Sequence, residues 1–301
     1  MQTLKRTDLA REAVDQIRKR AQKTNTPDGI RTEETVDDGL PVYTVAIETP
    51  IGAEQLGRPI GQYVTIEIDD VLSHAENAFP RAVGVIARQL GKMLPRNLSG
   101  PIMVVGLGNR AVTPDALGPL VADKILATRH LTKEMPEHFG QLREVTVLAP
   151  GVLGMTGMES AEVICGVVQT IRPAALILVD ALAAQDSSRL CRTVQLADSG
   201  ITPGSGVGNR RFAIDRKTIG VPCIAIGVPT VVDAVTLAAD LLESTTQELD
   251  ADALRQRHGT TFVTAKEIDR LVAECAGLIA YALNTALQPT LTLADIELFL
   301  A

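Results

Sequence analysis

Between residues 102 and 243 the chain repeats one pattern, a short uninterrupted apolar run followed by a helical stretch. The runs MVVGL, VTVLA, ALILV and CIAIGV alternate with helical patterning at 116–128, 158–171 and 231–243. A strand with no polar face must be covered on both sides, and strands that alternate with helices build parallel sheets through βαβ crossovers. Aromatic residues make up only 3% of the chain and Trp is absent, so the core has to come from Ala, Val, Leu and Ile. The expected fold class is α/β, a mainly parallel sheet flanked by helices.

The flanking regions read differently. Residues 7–23 place Leu9, Ala13, Ile17 and Ala21 four apart among charged residues, which predicts an amphipathic helix with Thr7 or Asp8 as N-cap. The polar, Gly- and Pro-marked residues 24–40 read as a loop. PVYTVAIET and GQYVTIEID alternate with period two and predict strands of a β-hairpin or meander. A helical pattern runs from His74 to Leu94, and VTAKEIDRLVAECAGLIAYALNTAL predicts one long helix opened by Thr264. The 301 residues suffice for one large domain or two small ones.

Several function classes are disfavoured. A net charge of −7 and a pI near 5.2 give no overall attraction to nucleic acid or to an anionic membrane. No apolar run reaches the roughly 18 residues that span a bilayer, and the N-terminal stretch lacks a signal-like apolar core, so a cytoplasmic chain is expected. Cys165, Cys191, Cys223 and Cys275 have no CxxC spacing and read as buried reduced thiols. The four histidines form neither HExxH nor a serine-hydrolase arrangement.

In an open α/β sheet, ligands bind beyond the carboxyl ends of the strands. MVVGL is followed by a loop carrying Asn109, Thr113, Pro114 and Asp115. Thr113 as N-cap, Pro114 in the first turn and Asp115 favoured by the helix dipole is one reading; a functional Asp115 is the other. The third glycine of a dinucleotide loop is missing. Asp180 directly follows ALILV, where a carboxylate is costly to bury unless paired or protonated, and it reads as a functional residue or a helix cap. The loop DSGITPGSGVGNRR, with Gly204, Gly206 and Gly208, can aim N–H groups at an anion or a peptide carbonyl, or can be a rigid turn.

Taken together, VVGLGN with TPDALGP, PGVLGMTGMES, VDALAA, DSGITPGSGVGNRR and IAIGVPTVVDAVT resemble, in this order, the germination protease of spore-forming bacteria, the endopeptidase of small acid-soluble spore proteins. The resemblance extends from RTDLA to the long C-terminal helix. It implies a zymogen that removes its own N-terminal peptide, a homotetramer, residence in the forespore or spore core, and two functional aspartates matching Asp115 and Asp180. It also implies a core similar to that of the hydrogenase maturation proteases. The family has been described as both aspartic and metal-dependent, so no cofactor is certain and a divalent metal between the aspartates stays open.

The family cleaves after an acidic residue and before an apolar one followed by alanine. Asp8-Leu9-Ala10 has this pattern, which implies a propeptide of residues 1–8 and a single protease domain over residues 9–301. Asn109, Thr113, Gly204, Gly206, Gly208 and Asn209 are candidates for substrate contact. Arg210 and Arg211 head the arginines that could bind the acidic side chain, with Arg110, Arg129 and Arg189 behind them, because a guanidinium pairs a carboxylate in bidentate fashion. The chain departs from the family at Lys5, where an acidic residue is preferred, at Thr202 in place of a frequent His, at Gln185 in place of a frequent Arg, and in a shortened region before the last helix. A metal-dependent processing protease of hydrogenase-maturation type and a catalytically silent scaffold are the competing readings.

Overall fold

A computed structural model of the chain describes residues 6–21, 28–95, 98–204, 212–242, 253–254 and 260–300. Among them, nine strands form one sheet: β1 (Ile30–Asp37), β2 (Leu40–Ile47), β3 (Gly61–Glu67), β4 (Ile102–Gly106), β5 (Val145–Leu148), β6 (Ala175–Ala184), β7 (Thr193–Ala197), β8 (Cys223–Asp233) and β9 (Phe262–Val263). Their order is β1-β2-β3-β7-β8-β6-β4-β5, with β9 on β8. The four apolar runs become β4, β5, β6 and β8, which pair in parallel.

That order sets the position of the site. The chain leaves β4 for β5 on one side, then returns across β4 to β6 on the other. The carboxyl ends of β4 and β6 therefore flank a topological switch point, where successive connections diverge and leave a crevice.

The N-terminal strands join the parallel half through β7, which pairs antiparallel with both β3 and β8. Three strands were not evident in the sequence, one of them β9, whose Val263 lies in the stretch expected to be helical. β1 lies in the stretch expected to be a loop; it is an edge strand with most residues exposed, so it carries no apolar alternation. The Asp38-Gly39 turn that links it to β2 has φ of 50° and 81°, the two positive values of a primed hairpin turn. β7 is buried at all five positions but is short and interrupted by Gln195.

Helices cover both faces. On one face Ala78–Met93 and Ile268–Leu287 bury Val104, Ile177, Val179, Ile224 and Ile226. On the other, Ser160–Ile171 lies with Met103, Val105, Leu176 and Leu178, and the N-terminal helix Ala10–Ala21 lies with Tyr43, Val45, Tyr63 and Ala225. Cys191, Cys223 and Cys275 are buried free thiols, while Cys165 is half-buried. Among the described residues no helix is long and apolar enough to cross a membrane.

The helix Leu117–Ala122 approaches the sheet at backbone distance. A Cβ at Gly118 would stand 2.2 Å from Leu107 O and 2.6 Å from Val179 O, and one at Gly106 would stand 2.1 Å from Gly118 O. The obstructing atoms are main chain and cannot turn aside. Gly118→Ala is expected to lift this helix from the ends of β4 and β6 at a cost of about 1–3 kcal/mol, as overpacked cores show. Chemical denaturation measures the loss, and an unchanged midpoint would mean the contact is not tight.

Candidate active site

Asp180 lies inside β6, not at its end. β4 stops with Gly106 opposite Val179, and β6 continues to Ala184 paired with β8. No helix begins there, so the helix-cap reading of Asp180 is overturned. The sequence pattern stops at Asp180 because the apolar run does; the strand goes on because β8 still supplies backbone partners. The residue is 6% exposed, and its carboxylate accepts from the Ala181 N–H at 2.9 Å. Burial pushes the Asp180 pKa well up, and the charges of Asp115 and Asp8 push it further; the Ala181 N–H opposes them.

Asp115 closes a 3-10 turn, Thr113–Asp115, that follows the loop after β4. Pro114 stands at the start of this turn as expected, but Thr113 makes no capping hydrogen bond. The Asp115 carboxylate turns back and accepts from the Asn109 N–H at 2.8 Å. Gly108 makes this fold-back feasible: it has φ of 110°, and a Cβ there would stand 2.1 Å from Asp115 O. Burial raises the Asp115 pKa and the Asn109 N–H pulls it back.

The loop is also held from β8. The pairing of β6 with β8 skips Thr230, passing from Leu182↔Pro229 to Ala183↔Val231. At this bulge the Thr230 hydroxyl donates to Pro114 O at 2.7 Å, a re-aimed side chain of the kind bulges supply near functional sites. Thr264, expected to open the long helix, instead donates from its hydroxyl to Thr230 O at 2.7 Å, and the helix begins at Ile268.

The N-terminal segment docks beside Asp180. Asp8 N–H donates to Ala183 O at 2.7 Å, and Ala183 N–H donates to Asp8 Oδ2 at 2.9 Å. Neither Thr7 nor Asp8 therefore caps the helix, which starts at Ala10; the Thr7 hydroxyl accepts from Leu9 N–H at 2.9 Å. Leu9 is fully buried in a cluster with Leu182, Ala184, Leu190 and Val232. Gln195 on β7 donates from Nε2 to Asp8 O at 2.8 Å and accepts at Oε1 from Ala10 N–H at 2.7 Å. Arg58 donates to Thr7 O at 2.7 Å. Glu12, nearly buried, accepts from the N–H groups of Gln185 and Asp186 and lies 3.5 Å from Arg189.

The structure thus gathers Asp115, Asp180, Asn109 and Asp8 around the end of β4. Thr113 stays in the turn before Asp115, half-buried. Gly204 has φ of 73° in the turn that leads into the glycine loop. Gly206, Gly208, Asn209, Arg210 and Arg211 lie outside the described residues. Arg110 is engaged by Asp123 at 2.6 Å, Arg129 lies 4.0 Å from Glu144, and Arg189 pairs with Glu67 at 3.0 Å. Gln195, Thr230 and Ala183 were missed in the sequence. A lone amide inside the apolar TVQLA was the signal for Gln195; nothing local marks Ala183. Among the described residues no group of three His, Cys, Asp or Glu side chains could hold a metal ion together, so this donor set does not fit a cation held by three protein ligands.

The raised Asp180 pKa couples to stability. The folded chain keeps this proton over a pH range in which the unfolded chain, with an ordinary Asp near about 3.9, has released it. Stability from this group is therefore greatest in acid and falls as pH rises through the raised value. Asp180→Asn removes the titration, so its melting temperature should gain on wild type as pH rises from about 4 and then level off. Thermal unfolding across a pH series measures this; a gain that shrinks with rising pH would contradict it.

Comparison with known proteins identifies the family of the chain. A family model described as germination protease matches residues 7–253. The chain is 40% identical over 313 aligned residues to a germination protease of Caldanaerobacter subterraneus subsp. tengcongensis, covering 95% of each chain. It is 38% identical to one of Clostridium perfringens, covering 98% of each, and 44% identical to one of Bacillus velezensis, covering 80% of this chain and 67% of that one. Among solved structures, a [NiFe] hydrogenase maturation protease HycI from Thermococcus kodakarensis KOD1 matches with a TM-score of 0.36 and 19% identity, covering 65% of this chain and 98% of that one. With a family model over most of its length and relatives of this identity, the chain belongs to the germination protease family and is a peptidase.

Proposed function

We propose that the protein is an endopeptidase that starts the degradation of small acid-soluble spore proteins during germination, cutting after Asp or Glu and before an apolar residue, with Asp115 and Asp180 as its active pair. The observation that carries this reading is the convergence of the two carboxylates at the switch-point crevice, one of them buried and strongly shifted toward its protonated form. Two carboxylates that share a desolvated site cannot both ionise cheaply, and the deeper one keeps the proton.

The roles follow from the surroundings. Asp115, steadied by the Asn109 N–H, is the ionised partner and takes a proton from the attacking water. Water oxygen adds to the scissile carbonyl as that proton moves to Asp115. Asp180 gives its proton to the carbonyl oxygen as charge develops there. Collapse of the tetrahedral adduct returns that proton to Asp180, while the proton on Asp115 passes to the departing amine.

The same reading includes a precursor cut by its own site between Asp8 and Leu9, with residues 1–8 as propeptide and 9–301 as one protease domain. Its support is the Asp8-Leu9-Ala10 pattern together with the docking of Asp8 beside Asp180. Assembly as a homotetramer and residence in the forespore or spore core belong to the proposal through family membership.

Incubation with a purified small acid-soluble spore protein tests the pair. Asp115→Asn and Asp180→Asn should each slow cleavage by about 10²–10⁴-fold, the usual contribution of a positioned acid or base. Equal rates for wild type and both variants would sink the two-aspartate mechanism. Intact-mass analysis should show wild type losing residues 1–8 and both variants keeping them.

A further inference from the structure

We propose that the side-chain amide of Gln195 grips the main chain of the peptide to be cut, donating to the carbonyl of the acidic residue and accepting from the amide N–H two residues further on. This rests on the reading of Asp8–Leu9 as the processing site and extends it to substrates bound from solution. Gln195 is 7% exposed in a central strand, and a buried amide of this kind must be satisfied at both ends. Its partners are Asp8 O and Ala10 N–H, the main-chain groups on either side of Leu9. Asp8 O is the carbonyl of the bond proposed to break.

The placement fits the pair. Gln195 lies opposite Gly227, and Gly227 lies opposite Asp180, so both side chains leave the same face of the sheet at the same level. Two strand spacings, about 9–10 Å, separate their backbones, with a glycine between them. An amide that holds only main-chain atoms is indifferent to side chains. Selection then falls to the groups around it: Ala183 N–H on the Asp8 carboxylate, and the apolar cluster around Leu9.

Cleavage itself would clear the groove. Hydrolysis of Asp8–Leu9 and loss of residues 1–8 remove Thr7 Oγ, which accepts from Leu9 N–H, and Asp8 O, which accepts from Gln195, so the hold on Leu9 and Ala10 loosens. The Gln195 donor has by then lost Asp8 O, and a substrate carbonyl with an apolar residue behind it satisfies both vacancies.

The test uses a peptide with the sequence of residues 3–14, TLKRTDLAREAV, and a version N-methylated at the residue corresponding to Ala10, given to the processed protein. In wild type the methyl group removes the bond to Gln195 Oε1 and should lower kcat/KM about fivefold more than it does in Gln195→Met, the worth of one hydrogen bond. Gln195→Met should also cut the unmethylated peptide at least about fivefold more slowly than wild type. Gln195→Glu, which keeps the acceptor and loses the donor once ionised, should slow cleavage yet keep the methylation penalty, and it replaces Gln195→Met should that variant fail to fold by circular dichroism. Equal methylation penalties in wild type and Gln195→Met, or a Gln195→Glu protein that cuts as fast as wild type, would overturn the assignment while leaving the aspartate pair to be judged by Asp180→Asn. A wild-type protein that neither loses residues 1–8 nor cuts the peptide would refute the processing site and this inference with it.

Discussion

A carboxylic acid in the middle of an apolar strand is the constraint around which this molecule is arranged. Asp180 interrupts β6 at the point where β4 has just ended, among residues that offer it little except the N–H of Ala181. Such a group is tolerated because it can hold a proton, and the fold surrounds it so that it does. The cost is local strain on stability; the return is a proton kept beside a crevice at pH values where an ordinary aspartate has lost it.

The neighbouring elements can be understood from that position. Gly106 and Gly118 let a helix start close against the strand ends, and Gly108 lets the loop fold back so that Asp115 faces the same crevice. A bulge on β8 turns Thr230 toward this loop, and Thr264 secures Thr230 in turn. The bond from Thr230 to Pro114 joins segments more than a hundred residues apart, and these contacts give Asp115 one fixed orientation instead of the freedom of a surface loop. The two aspartates differ in depth: each accepts from one backbone N–H, but Asp180 is buried and Asp115 half-buried.

The N-terminal segment is the third component. Arg58, Ala183 and Gln195 hold residues 7–10 by their main chain, Ala183 N–H also holds the Asp8 carboxylate, and Glu12 ties the following helix to Gln185, Asp186 and Arg189. Burial raises the Glu12 pKa, with Thr7 and the two N–H groups opposing it. An acidic residue is thereby brought to the site by the chain's own start, in the orientation its backbone partners impose.

The sequence by itself determined the class of the fold and marked Asp115 and Asp180 as candidates. Strands buried on both faces must be continuously apolar, so β4, β5, β6 and β8 were visible as runs, and residues that follow such runs stand at the ligand-binding edge. It did not reveal β1, whose polar residues match its exposure at an edge, or β7, which is short and broken by Gln195. Only the tertiary structure decided that Asp180 lies within a strand, that it is the more strongly shifted of the pair, and that Asp8 and Gln195 meet beside it. The physical reason is that lateral register across β7, β8 and β6 pairs residues far apart in the chain, while local periodicity records only which face a residue occupies and how deeply its own segment is buried.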